Sequence, residues 1–369
     1  MPGYAIGILP LMSLIGLNDD CTGVKQAAFA DDLTGVGKLK PLKIWWNMIL
    51  EYGPYIGYHA KPSKSWLIVK KEYLEEAKIL FKNTGLNITS EGRKHLGAAV
   101  GSETFKESYV KDKIENWIIQ IKELAKIAWV EPHLAYSAFV KGFRHKFNYL
   151  MRTIPEIDAL FKPLDLVIDD FLLPALLNGK HLNKEERILF ALPVKFGGMG
   201  LPKISETAST EYNNSRLITE DLVENVKKQK DILEILPDRT YNAKKLIRAE
   251  KTEQNKNTLM ILKTSMSSSK LRLLECILEK GSSNWLTALP IKESGFYLDK
   301  STWWDALYLR YGFNMKRLPS YCNCGKAFSV EHAMLCMKGG YVTMRHNELR
   351  DMTAELLEEV CKENLSWQN

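Results

Sequence analysis

The 369 residues carry 51 Lys and Arg against 44 Asp and Glu, a formal charge of +7, with 45% hydrophobic and 26% charged residues. That balance excludes a disordered or collagen-like chain and allows two or three domains. Six cysteines in this length make no disulfide scaffold, and no run of about eighteen apolar residues spans a membrane, so the expectation is an intracellular protein of the nucleus or cytoplasm, with no membrane partner.

Residues 4–17 read as one buried helix, broken by "NDDCTG". Residues 26–30 read as a strand and 33–37 as its return, which sets Asp31 and Asp32 at the tip of a hairpin. "LKPLKIWWNMILEYGPYIGY" is a helix with Pro41 near its first turn and a stop at Gly53-Pro54. "KSWLIVK" is a strand, "KEYLEEAKILFKNTG" a helix ending at Gly85, and "LNITSEGRKHLGAAVGS" a pair of hairpins. Beyond Ser108 the apolar period becomes that of long helices, interrupted by the Gly/Pro-rich "ALPVKFGGMGLP". Residues 203–310 are mostly helical, with a charged stretch over 227–256 that reads as exposed or as a linker. In the last part of the chain Cys, Gly and His cluster together.

Three groups of residues carry chemistry. Paired carboxylates on a tight turn suit hard divalent cations, although Asp-Asp is also a common solvated turn or helix cap. Between Lys38 and Lys94 eleven Lys and Arg face five Glu and no Asp, and Lys141, Arg144, Lys146 and Arg152 form a second basic group around His145. Such stripes favour a polyanion, or simply keep a face solvated. The spacing Cys322-x-Cys324-x7-His332-x3-Cys336 offers soft ligands for tetrahedral Zn²⁺; free core thiols beside a packed His are the alternative. Trp45, Trp46 and Trp66 are expected in the core rather than as platforms for nucleobases.

The ordered series Phe29-Ala30-Asp31-Asp32, "GYHAKPSKSW" and Lys94-His95-Leu96-Gly97 resembles the palm of a reverse transcriptase. "MPGYAIGILPL" resembles the helix that follows that family's QGDPL motif. "LPVKFGGMGLP" and the Cys-Cys-His-Cys group followed by Arg345-His346-Asn347 resemble non-LTR retrotransposons that carry a restriction-like endonuclease. The resemblance implies an α+β chain: a partial palm over 1–105, a helical thumb-like region over 106–225, a helical connector over 226–320, and a zinc knuckle opening an endonuclease-like segment over 321–369.

It also implies roles. Asp31 would bridge two Mg²⁺ ions, Asp32 would assist, and Lys64 would steady or protonate the departing pyrophosphate of RNA-directed DNA synthesis. Lys61, Lys94, His95, Gly97, Arg144, Arg345 and His346 would lie against the RNA template, DNA primer or target DNA, mostly along its backbone. In that family another metal-binding Asp and the nucleotide-binding fingers come earlier, and Asp19 and Asp20 do not fit the missing role. An endonuclease acid pair follows the knuckle in the family and is not found here. The expectation is therefore a fragment truncated at both ends, inactive in polymerisation and nicking. The alternatives are a nucleic-acid-binding remnant and a reused host protein.

Overall fold

The computed structural model describes residues 2–229, 237–315, 318–338 and 340–365. The chain divides into two compact units, Met1–Leu307 and Tyr308–Asn369. Its architecture is helix-rich α+β, with three two-stranded sheets among the described residues. The N-terminal apolar run forms α1 (Pro2–Gly16), but it is not buried all round as expected. Among its described side chains Ile8, Leu11 and Ile15, at helical spacing, are the buried ones, while Ile6, Leu9 and Leu14 stay exposed. That stripe packs on α2 (Leu39–Tyr52) through Leu42, Trp45, Trp46, Met48 and Ile49.

Between those helices lie β1 (Lys25–Phe29) and β2 (Asp32–Val36), paired antiparallel with Phe29 opposite Asp32. The loop is Ala30-Asp31, and Ala30 takes φ +54°. A two-residue hairpin loop needs positive φ there, and Ala in place of Gly adds on the order of 1 kcal/mol of strain.

Next come β3 (Trp66–Ile68), α3 (Leu74–Leu80) and β4 (Asn87–Thr89). The expected pair of hairpins is half right. β4 pairs in parallel with β3, Trp66 opposite Asn87, because α3 supplies the crossover that parallel strands require. The second hairpin does form, from β5 (Gly92–His95) and β6 (Ala98–Gly101), with Leu96 at φ +47° and Gly97 at φ +87° in its turn. Two successive positive φ values give the turn that matches strand twist.

The helical part opens with α4 (Glu103–Ala128), whose first turn is capped by the Ser102 hydroxyl accepting from the Phe105 N–H at 3.2 Å. α4 buries Val110, Ile114, Trp117, Ile121 and Ala125. There follow α5 (Pro132–Ala138), a wider turn over Phe139–Phe143, α6 (His145–Thr153), α7 (Lys162–Val167), α8 (Leu173–Leu176) and α9 (Lys184–Ala191). α10 (Ala208–Lys228), α11 (Pro237–Ser265), α12 (Ser268–Leu278) and α13 (Lys300–Tyr311) complete the series. The charged stretch over 227–256 is mostly helix; its residues 230–236 lie outside the described residues.

The Gly-rich break between α9 and α10 is held by side chains. Tyr136 donates its hydroxyl to the Met199 carbonyl at 2.9 Å, Arg144 donates to Gly200 at 2.8 Å, and Arg187 to Leu201 at 2.7 Å. Asp165 accepts the N–H groups of Ile204 and Ser205 at 2.6 and 3.0 Å. A segment without regular hydrogen bonding is buried here because these groups complete its backbone.

His133 joins a second anchor. Its ring stacks on Trp303 at 4.8 Å, and its Nδ1 accepts the Leu298 N–H at 3.0 Å. Beside it, Tyr297 donates its phenol to Glu131, a bond that pushes the phenol up to about 12. Burial pushes the His133 imidazole below its ordinary value. The unfolded chain then takes up a proton near pH 6.5 that the folded chain refuses. The stability that neutral His133 contributes is therefore full above about pH 6.5 and is lost as the pH falls toward the lower folded value. Urea midpoints at about pH 8 and about pH 5.5 check this; His133→Gln should flatten the decline, and an equal decline in that variant would assign it elsewhere.

Candidate functional site

Asp31 and Asp32 sit at the hairpin bend, both exposed. The bend is held from the side: the Tyr58 hydroxyl donates to the Asp31 carbonyl at 3.2 Å. Burial, then the charges of Asp32 and Asp31, push the Tyr58 phenol up. At the base of the hairpin Gln26 is buried and fully satisfied. Its Nε2 donates to the Met12 carbonyl at 2.7 Å and its Oε1 accepts from the Trp45 indole at 3.2 Å. Its backbone N–H and C=O both bond the side-chain amide of Gln229, at 3.1 Å each. Gln229 closes α10 in the left-handed region, so one residue ties the acid-bearing hairpin to α1, α2 and α10.

The β5–β6 hairpin lies against this one. His95 Nε2 and Thr34 Oγ1 are 3.3 Å apart. Its turn is gripped by two tyrosines: Tyr109 of α4 donates to the Gly97 carbonyl at 2.9 Å, and Tyr149 of α6 donates to the Leu96 carbonyl. The structure thus brings Asp31, Asp32, His95 and Gly97 onto two touching hairpins. Lys94 is exposed on β5; Lys61 and Lys64 are exposed around the short helical turn Pro62–Lys64, and none of the three makes an ion pair among the described residues. Arg345 and His346 are exposed in the first turns of α15 (Tyr341–Leu365), in the second unit.

The second basic group has a different fate. Arg144 donates to Gly200, and burial pushes its guanidinium below the ordinary range. Lys141 donates to the Thr287 carbonyl at 2.6 Å, Lys146 to Gln120 at 3.0 Å, and Arg152 pairs with Glu211 at 2.9 Å. These four cations are engaged within the chain, whereas Lys61, Lys64 and Lys94 make no ion pair among the described residues.

In the second unit, Cys322 and Cys324 lie on a knuckle. Tyr321 bridges Ala327, the Cys322 N–H donates to Lys326 at 2.9 Å, and the Gly325 N–H donates back to Cys322 at 2.8 Å. Gly325 takes φ +85°, which a residue with a β-carbon adopts only with strain. His332 lies in α14 (Val330–Leu335), whose N-terminus Ser329 caps by accepting the His332 N–H at 3.0 Å. Cys336 closes that helix, one turn after His332, so the two face the knuckle together. Cys322 Sγ is 3.7 Å from Cys336 Sγ, and Cys324 Sγ is 3.2 Å from His332 Nε2; all four ligand atoms lie within 4.8 Å of one another. A tetrahedral zinc site with bonds of about 2.3 Å has edges of about 3.8 Å, so the four ligand atoms are gathered on the scale of such a site.

No protein-family model matches the chain, and no curated protein matches it.

The chemistry is therefore read from the geometry. Cys322, Cys324, His332 and Cys336 can hold a metal ion such as zinc, and they are the one group of three or more such ligands among the described residues. The Cys324 backbone N–H favours a Cys322 thiolate, but burial and the sulfurs of Cys336 and Cys324 outweigh it and push the thiol up. Asp31 and Asp32 have no third carboxylate, His or Cys close enough to complete such a group among the described residues. No described helix is long and apolar enough to cross a membrane.

Sequence reasoning missed Tyr58, Tyr109, Tyr149, Gln26 and Gln229. The turn residues beside them were visible. Their partners lie up to 203 positions away, and no local pattern announces such a pair.

Proposed function

We propose that this chain engages nucleic acid as a palm-and-thumb-like part of a reverse transcriptase of the non-LTR type, followed in the chain by a zinc knuckle. The observation that carries the reading is the apposition of the Asp31-Asp32 bend with the His95-Leu96-Gly97 hairpin through Thr34 and His95, while α4 and α6 grip the second turn. A copying enzyme needs an acid seat for Mg²⁺ beside a surface that holds the primer end, and helices that follow the duplex. Asp31 and Asp32 would share the metal seat, with Lys64 near the departing group and Lys61 and Lys94 along the backbone. Two carboxylates without a third ligand hold Mg²⁺ weakly. The reading is accordingly of a chain that binds primer–template but does not extend it. The knuckle would take Zn²⁺ and present Arg345 and His346 to nucleic acid.

The test is binding of a fluorescent primed RNA across a salt series, with and without Mg²⁺ and deoxynucleotides. The expected result is salt-sensitive binding, each phosphate contact contributing a slope of roughly 0.7–0.9 in log–log form, without primer extension. Extension would restore full catalytic competence to the chain. Failure to bind at low salt would sink the reading and favour a protein-binding role for the helical region.

A further inference from the structure

Three tryptophans precede residue 70, and the structure separates them. Trp45 and Trp46 are buried in the core between α1 and α2. Trp66, expected there with them, is instead 40% exposed at the start of β3. The Arg93 guanidinium lies over its ring, 4.3 Å from the centroid. A cation over an aromatic ring is ordinary in itself, about one per 70–80 residues. A large indole left in solvent beside cations without acid partners is less so. Lys64 precedes Trp66 by two positions and Lys94 follows Arg93, all of them exposed and without an ion pair among the described residues.

The register places this pair relative to the acids. Side chains two apart on a strand share a face, so Arg93 and His95 lie on one face of β5, and Asp32 and Thr34 on one face of β2. His95 meets Thr34, which joins the two faces. One continuous surface therefore runs from Trp66 through Arg93, His95 and Thr34 to Asp32. Its contour is at most roughly 20 Å at about 3.3 Å per strand residue, the reach of about six stacked nucleotides.

We infer that Trp66 and Arg93 form a stacking platform for an unpaired nucleobase of a single-stranded nucleic acid whose backbone passes Lys64 and Lys94. An indole and a guanidinium plane both accept any base by stacking, without reading its identity. The inference deepens the nucleic-acid reading above and rests on it. It assigns the platform to the strand outside the paired region, since a base held in a duplex has no free face.

The experiment uses the full chain and measures anisotropy of a fluorescein-labelled oligo-dT of about twelve nucleotides against an abasic oligomer of equal length and charge. The wild type should bind the base-bearing strand about tenfold more tightly. Trp66→Ala should erase most of that preference while leaving the abasic affinity and the salt slope unchanged. Trp66→Phe should keep part of it, Arg93→Ala should lose much of the preference, and Lys94→Ala should lower the salt slope by about one unit while keeping the preference. A 5-iodouracil strand should crosslink at Trp66, which identifies the contact without any substitution. Equal affinity for both oligomers, or crosslinking elsewhere only, overturns the platform while leaving the nucleic-acid reading intact. Absence of binding to either oligomer removes both.

Discussion

Replacing Cys324 by Ser should release the metal from the second unit and unfold the knuckle, the largest single effect expected in this chain. Structural Zn²⁺ in small modules contributes an apparent ~10–16 kcal/mol near neutral pH, and a folded apo state is rare in such segments. The knuckle has little else to hold it. Of its ligands only Cys322 is buried, Ala333 is its buried apolar companion, and Leu335 and Met337 stand largely in solvent. With one thiolate gone, the remaining Cys322, His332 and Cys336 do not close a tetrahedron, and the bridge between Tyr321 and Ala327 loses its reason to form. Zinc measured after dialysis should fall from about one per chain to near none, and proteolysis should then cut within residues 320–338. Cys276→Ser and Cys361→Ser serve as controls, because both thiols are exposed and outside the cluster. Since the metal must displace protons from three thiols, affinity should weaken as the pH falls. Co²⁺ in place of zinc should give the intense visible absorption of a tetrahedral thiolate site. A knuckle that stays folded in chelator, or a Cys324→Ser chain that keeps its metal, would remove the metal centre from this protein.

That site was legible because all its information is local. The knuckle, its Gly325 and the one-turn spacing of His332 and Cys336 fall in one short segment, and ligand chemistry selects the residue types directly. The acid hairpin was legible for a similar reason, since both strands and their loop are contiguous in the chain, but its register was off by one: the loop is Ala30-Asp31, and Asp32 already belongs to β2. The parallel pairing of β3 with β4 was not, since "NITSEG" is as good a hairpin strand as any until α3 carries the chain across. Nor could residue type separate Trp66 from Trp45 and Trp46; only packing against α1 decides which indole is covered. The second basic group is more engaged within the chain than charge counting suggested, because its partners are distant in sequence. Lys141 and Thr287 are 146 positions apart, so charge counting along the chain saw a free cation where the fold has a bonded one. The same holds for Arg144, whose role in holding Gly200 belongs to the helical core.

Gly198→Ala should be among the most damaging substitutions in the first unit, at or above about 3 kcal/mol. A β-carbon at Gly198 would lie 2.0 Å from the Leu192 carbonyl oxygen and 2.5 Å from that of Leu189. Both obstacles are backbone at the end of α9, so no side-chain rotation relieves them. The chain must move out, and the next three carbonyls move with it. Those are the acceptors held by Tyr136, Arg144 and Arg187. Arg187 is buried and paired with Asp169 at 2.6 Å, and losing Leu201 strands a further buried N–H at a cost of about 1–3 kcal/mol. Gly142→Ala is the matched control: nothing lies within 4 Å of a β-carbon there, and it sits in the helical turn Phe139–Phe143. Ala in such a position should be neutral or stabilising by up to about 1 kcal/mol. The two variants therefore move the urea midpoint in opposite directions, or one moves it and the other does not. If Gly198→Ala melts within about 1 °C of the wild type, the close approach of that glycine to α9 is wrong, and with it the account of why the Gly-rich segment stays buried.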